Sequence, residues 1–270
     1  MSTTLAELAA PVVPRGLGRH GRIAVVIAAH VALVLAWQGA VDFWHIRPFV
    51  LPSPLEMLQT LHKTSYAWWP NTLVTTAEIF GGFALALVCG VGLALLFSWS
   101  RLLTLAVFPL FVTLNMIPKV ALGPLVIVWM GYGIVSNVLI TFSLCLFPIL
   151  LNTGRGLREI EPELIDLVRS LNGTRWQIFT KIQLPGALPY LFSGTKVAAI
   201  LAVAGAVVGE FVASDRGLGY LMIQVQSTLD IPAMFMAVVL LTLIGVTLYL
   251  LCLGLERLCL RGGFVREPTS

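Results

Sequence analysis

The chain of 270 residues is 58% hydrophobic and only 11% charged, whereas a soluble domain carries roughly 25% charged residues. A mean hydropathy of +0.92 excludes an ordinary water-soluble fold and makes lipid the solvent of a single membrane domain, because several spans of about 20 residues each leave little chain over. The net charge of +4 does not point to nucleic acid, since the basic residues lie between apolar runs rather than in one patch.

Residues 1–21, with Pro11, Pro14, Arg15, Arg19 and His20, are expected to form a cytoplasmic tail. No small-residue cleavage site closes the apolar run that follows at 23–41, so it is read as an anchor rather than a removable signal. Further apolar runs at 72–98, 102–130, 134–152, 192–213 and 233–255 complete six predicted crossings within a domain spanning 22–260. None alternates with the period of a barrel strand, and backbone amides in hydrocarbon must be satisfied within their own segment. The fold class is therefore an all-α membrane protein of six transmembrane helices.

Gly81, Gly82, Gly90 and Gly92 in the second run remove bulk where another helix can approach. The third run is too long for one upright helix, at roughly 43 Å, and its Pro109, Pro118 and Pro124 predict a tilt, kink or break. Cys89, Cys145, Cys252 and Cys259 lack metal-site spacing and read as small buried hydrophobes. His30, amid Ala, Val and Leu, reads as hydrogen-bonded packing.

Lysine and arginine placement sets the orientation. With the N-terminus inside, Arg15, Arg19, Arg22, Arg101, Arg155, Arg158, Arg169, Arg175, Lys181, Arg257, Arg261 and Arg266 are cytoplasmic, twelve against the three outer residues Arg47, Lys63 and Arg216. Both termini, including the 261–270 tail, then face the cytoplasm. The outer segment 42–71 carries Trp44, Trp68 and Trp69 at headgroup level, and Ser53-Pro54 opens a short helix lying on the membrane.

The inner segment 153–191 predicts two short helices and a tight corner. Pro162 stands near a helix start, and Leu164, Leu167, Val168 and Leu171 form one apolar stripe with Asp166 and Arg169 off it. Asn172-Gly173 ends that helix, because both residues suit a left-handed cap. Thr174 and Gln177 have the capping-box spacing, so a second helix restarts at once and is expected to stop before Pro185. An exposed apolar stripe implies a partner surface or packing on the protein's own helix ends and lipid headgroups.

This segment resembles the EAA motif of binding-protein-dependent ABC importer permeases: Glu-Ala-Ala, three residues, Gly, nine residues, Ile, one residue, Leu-Pro. The matching positions are Asp166-Leu167-Val168, Asn172, Ile182 and Leu184-Pro185. Asp replaces Glu, Leu-Val replaces Ala-Ala, and Asn stands where the family has Gly. FVLPSPLEML (49–58), IPKVALGPLVIVWMGYG (117–133), VVGEF (207–211) and GLGYL (217–221) are similar to the nitrate, sulfonate, taurine and thiamine-precursor branch, so the resemblance covers about residues 40–260.

The resemblance implies a type I importer transmembrane domain built from two copies of the chain. It implies two separate ATPase subunits that carry ATP and Mg, and an external substrate-binding protein. ATPase coupling then falls to Asp166, Leu167, Arg169, Ser170, Leu171, Asn172, Gly173, Arg175, Trp176, Leu184 and Pro185. The chain has no phosphate-binding G-x-x-x-x-G-K-[ST] loop, no cofactor is expected on it, and no catalytic constellation is legible. It is read as a transporter component of a bacterial inner membrane rather than an enzyme.

Four charges within the apolar runs need a reading. Lys196 and Glu78 lie near span ends and are assigned to snorkelling or an interhelix bond. Lys119 follows Pro118 in the third run, where broken backbone can line a pathway and a cation can attract an anion. Glu210 is the second pathway candidate, either meeting the binding protein near the outer surface or forming a structural salt bridge. An ion-coupled secondary transporter is the alternative function, and it requires an internal repeat and a buried acidic cluster.

Overall fold

The computed structural model describes residues 19–160 and 162–260. Most of the tail assigned to 1–21, and all of 261–270, lies outside them. In chain order the helices are α1 (Arg19–Phe43), α2 (Pro54–Gln59), α3 (Trp68–Trp99), α4 (Arg101–Asn115), α5 (Lys119–Met130), α6 (Ile134–Gly156), α7 (Pro162–Ser170), α8 (Arg175–Ile178), α9 (Leu184–Ala213), α10 (Leu218–Ser227) and α11 (Ile231–Leu260). α1, α3, α6, α11 and the continuous α8–α9 run are each long and apolar enough to cross a membrane.

Small residues build the centre. A Cβ on Gly82 would lie 2.5 Å from Thr141 and one on Gly90 3.0 Å from Ile149, so α3 lies directly against α6. Lipid tails are as apolar as leucine, and close packing of this kind is what holds helices together in a bilayer. Gly81 also faces α6, at 3.2 Å from Val138, whereas Gly92 meets nothing within 4 Å and takes no part. On its other side α6 receives α9, with Gly205 against Thr141 and Gly194 against Asn152. Ala198, Ala199, Ala202 and Ala206 are fully buried there.

The register of these contacts fixes the topology. Positions 82 and 141, then 90 and 149, rise together, so α3 and α6 are parallel; 205 pairs with 141 and 194 with 152, so α9 is antiparallel to both. Lys196 reaching Glu256 and Gly245 meeting Val203 add α11 antiparallel to α9. Two parallel neighbours in one chain require the segment between them to return across the bilayer.

That segment is α4 plus α5, which are bent by 98° at the break Met116–Pro118. The third run is therefore two pieces that together make one traverse, and the count is six. Pro118 causes the break: it offers no N–H and pushes Ile117 out of helical geometry. Trp37 of α1 packs on Phe235 near the start of α11, at 6.4 Å between ring centres. Arg19, Leu260 and the α7–α8 segment consequently share one pole.

At the opposite pole the helix expected to open at Ser53-Pro54 is α2, which Ser53 caps through a capping box with Glu56. α10, also at that pole, is a helix that the apolar runs do not announce. The reading of the four cysteines as buried also divides: Cys145 and Cys252 are buried, Cys89 is half-buried and Cys259 is exposed.

Candidate functional site

The α7–α8 corner is built from local bonds alone. Asn172 adopts the left-handed conformation at φ 58°, with its N–H on the Arg169 carbonyl and the Gly173 N–H on the Val168 carbonyl, at 3.0 and 2.8 Å. This is a Schellman cap, which closes the orphan carbonyls of α7. Gly173 is required by space, since a Cβ there would fall 2.2 Å from Val168 Cγ1. Thr174 Oγ1 accepts from the Gln177 amide at 3.2 Å while Gln177 Oε1 accepts from the Thr174 amide at 2.8 Å. α8 is thereby restarted two residues after the corner.

The expected stop before Pro185 does not occur. A π-helical turn at Phe179–Gln183 leads straight into α9, whose second position is Pro185, where the missing N–H is tolerated. Leu184 and Pro185 therefore lie inside a rod that begins at Arg175, and the fifth traverse starts well before residue 192. Leu164, Leu167, Leu171 and Trp176 are exposed, Leu171 at 74% and Trp176 at 62%. Asp166 and Arg169 pair at 3.3 Å on the same helix, both exposed, and Arg175 and Ser170 are exposed beside them.

Lys119 opens α5 directly after the break, half-buried, with Nζ donating to the Leu114 carbonyl at 3.3 Å. Glu210 is placed elsewhere. It is 1% exposed, accepts hydrogen bonds from Thr75 Oγ1 and the Gly219 N–H, and among the described residues has no lysine or arginine within ion-pair reach. Its burial overturns both readings made for it: Glu210 neither reaches a surface nor forms a salt bridge.

Instead it closes a polar knot at the start of α10. Asn71 Oδ1 accepts from the Gly217 N–H at 2.9 Å and Thr75 Oγ1 from the Leu218 N–H at 2.8 Å, so side chains of α3 and α9 satisfy the first amides of α10. Gly217, at φ 112°, has no room for a Cβ against the Glu210 carboxylate. Glu78, fully buried, takes an interhelix bond from Asn137 Nδ2 at 2.8 Å. Lys196 Nζ donates to both carboxylate oxygens of Glu256, at 3.0 and 2.9 Å.

Residues 82–259 match the family described as binding-protein-dependent transport system inner membrane component. The chain belongs to this family of ABC importer permeases. It is 38% identical over 231 residues to the riboflavin transport system permease protein of Chloroflexus aurantiacus, covering 85% of this chain and 86% of that one. It is 35% identical over 201 residues to the formylaminopyrimidine transport permease protein of Halalkalibacterium halodurans, at 74% and 80% coverage. A taurine transport system permease protein of Escherichia coli shares 23% over 244 residues, at 88% and 88% coverage.

In fold the permease resembles a chain of the MetNI methionine ABC transporter in an inward-facing conformation, with a TM-score of 0.64, 21% identity, and 73% of this chain matched to 98% of that one. The ion-coupled alternative is not favoured by any of these matches. Among the described residues no group of three or more His, Cys, Asp or Glu is placed to hold a metal.

Sequence reasoning missed Trp99. This last residue of α3 stands 5.5 Å from Phe179 and 6.5 Å from Trp176 between ring centres. Nothing in local periodicity links positions 99 and 176. Their contact is a product of the tertiary fold.

Proposed function

We propose that two copies of this permease form a translocation pathway at their interface, and that the α7–α8 corner of each is received by a separate ATPase subunit carrying ATP and Mg. An extracytoplasmic substrate-binding protein delivers cargo at the opposite pole, where α2, α10 and the start of α11 lie. Charge placement supports this orientation: Arg155, Arg158, Arg169, Arg175, Lys181 and Arg257 gather at the corner pole, which then faces the cytoplasm together with both chain ends.

The observation that carries the reading is an apolar face exposed on a firmly capped corner. A stripe of leucines and a tryptophan in water needs a partner surface, and a corner closed by a Schellman cap and a capping box transmits a push without unravelling. Closure of the ATPases on nucleotide moves the corners and switches the pathway between outward and inward states. Lys119, at the break between α4 and α5, is the pathway residue of this reading.

The test is a cysteine at Leu171 in the assembled importer. Cross-linking from Leu171→Cys to the ATPase, with a yield that changes when ATP is added, is the expected result. Full transport with no cross-link at any corner position would refute the coupling role. We place the cargo among small heteroaromatic vitamins and their precursors, on the strength of the riboflavin and formylaminopyrimidine relatives. Thermal shift of the cognate binding protein with riboflavin, formylaminopyrimidine, taurine and bicarbonate tests this, since a ligand of the native state raises the melting point. A shift with taurine or bicarbonate alone would remove the heteroaromatic assignment.

A further inference from the structure

Between the corner and α9 the chain passes through the wide turn Phe179–Gln183, in which the Leu184 amide bonds to the carbonyl of Phe179 five residues back. A π turn is where a helix bends readily. Pro189 lies just beyond it, inside α9, and removes a ladder bond. A push on α8 acting alone would be absorbed by flexing here.

The fold places a brace across this weak point. Trp99 packs edge-on against Trp176 of α8 and Phe179 at the start of the turn, and those two rings lie 5.7 Å apart. One side chain at the end of α3 thus holds the corner and the turn together. The junction behind it is stiff as well: Thr104 Oγ1 donates to the Phe97 carbonyl at 2.7 Å, and Phe97 packs edge-on with Phe108 and Phe111 of α4. At its other end the α8–α9 rod meets the bent pair again, where a Cβ on Gly123 would lie 2.9 Å from Val212.

We infer that Trp99 is the positioning residue that locks the α7–α8 corner, α3 and α9 into one lever, so that movement of the corner reaches the bend between α4 and α5. This rests on the corner being the ATPase contact. The competing role for a tryptophan 66% exposed at a span end is an anchor in the headgroup layer, which uses the indole N–H. A lever brace needs only the ring.

The experiment uses the complete importer, with its ATPase and binding protein, in proteoliposomes. All native cysteines are replaced by alanine, and one cysteine is introduced at the bend by Met116→Cys, an exposed position. Labelling by a membrane-impermeant maleimide is followed with and without ATP and vanadate, so no cargo is needed. In the parent chain, nucleotide is expected to change the labelling rate.

Trp99→Ala shrinks that change about tenfold, as loss of two edge-on ring contacts would, while the ATPase still copurifies and still hydrolyses ATP. Trp99→Phe restores it. A full nucleotide response in Trp99→Ala overturns the inference, and so does a Trp99→Phe variant that behaves like alanine, which would mark an anchor. Failure of the ATPase to copurify with the parent chain defeats the coupling reading itself, and with it the inference, before any Trp99 variant is made.

Discussion

In the α3–α6–α9 block, helices meet through Gly82, Gly90, Gly194 and Gly205 with almost no space between them. α4 and α5 meet the same block with Gly123 against Val212 and leave Leu102, Leu105, Val128 and Trp129 exposed. The first region spends sequence on fit and the second on proline. Glycine and alanine lose no side-chain rotamers on packing, so the block is a rigid frame, whereas the bent pair has few contacts to break and belongs to the low-stability end of the molecule. A transporter needs both, one to hold its shape and one to change it.

The sharpest way to break this contrast is to overfill the frame. Gly82→Leu drives a side chain into Thr141 and the Val138 carbonyl, 2.5 and 2.9 Å from where its Cβ must sit. It should cost about 3 kcal/mol or more, seen as loss of monodisperse protein after extraction. Val128→Ala in the bent pair should stay within about 0.5 kcal/mol. Equal damage from the two would erase the distinction.

Next in size is Glu210→Ala, which strips the Gly219 amide and Thr75 of their buried acceptor and should lower stability by about 2 kcal/mol, read as a lower melting temperature in detergent. Glu210→Gln keeps one acceptor oxygen and should cost less. At the corner, Asn172→Val forces a branched residue into the left-handed conformation for roughly 1–2 kcal/mol, whereas Asn172→Gly should be tolerated. Gly173→Leu should insert normally into the membrane yet abolish transport. A corner variant of this kind with full uptake would free the corner from its assigned work.

The smallest effect belongs to the opposite pole, where Lys63 pairs with Asp230 at 2.5 Å, with Lys63 half exposed. Burial acts to raise the Asp230 carboxyl, but the hydrogen bonds from Lys63 and Tyr66 outweigh it and hold the group below its ordinary value of 3.8. The bond to Asp230 raises Lys63 above 10.5. The pair therefore stabilises fully between those two ordinary values. Its contribution fades as pH falls through the depressed carboxyl value, and again as pH rises through the elevated ammonium value. Asp230→Asn should cost under about 1 kcal/mol at neutral pH and nothing in strong acid, which melting curves at two pH values would show.

What the sequence made legible was local. Asn172-Gly173 and Thr174 with Gln177 each satisfy amides or carbonyls within a few residues, so their geometry can be read from spacing, and Ser53-Pro54 marks the start of α2 for the same local reason. Pro185 misled because the π turn ahead of it, which depends on the whole rod, lets the helix continue. Glu210 misled for a related reason: its partners Thr75 and Gly219 come together only in the fold. The bend at Pro118 was written in the prolines, but that its two arms make a full traverse follows only from the parallel register of α3 and α6.

That register also dictates an order of manufacture. The Glu78 carboxylate and its Asn137 donor are 59 positions apart, so at about 5–20 residues added per second α3 waits several seconds for its companion to leave the ribosome. During that interval a helix with a bare glycine face and a carboxyl group lacking its donor resides in the insertion machinery or the lipid.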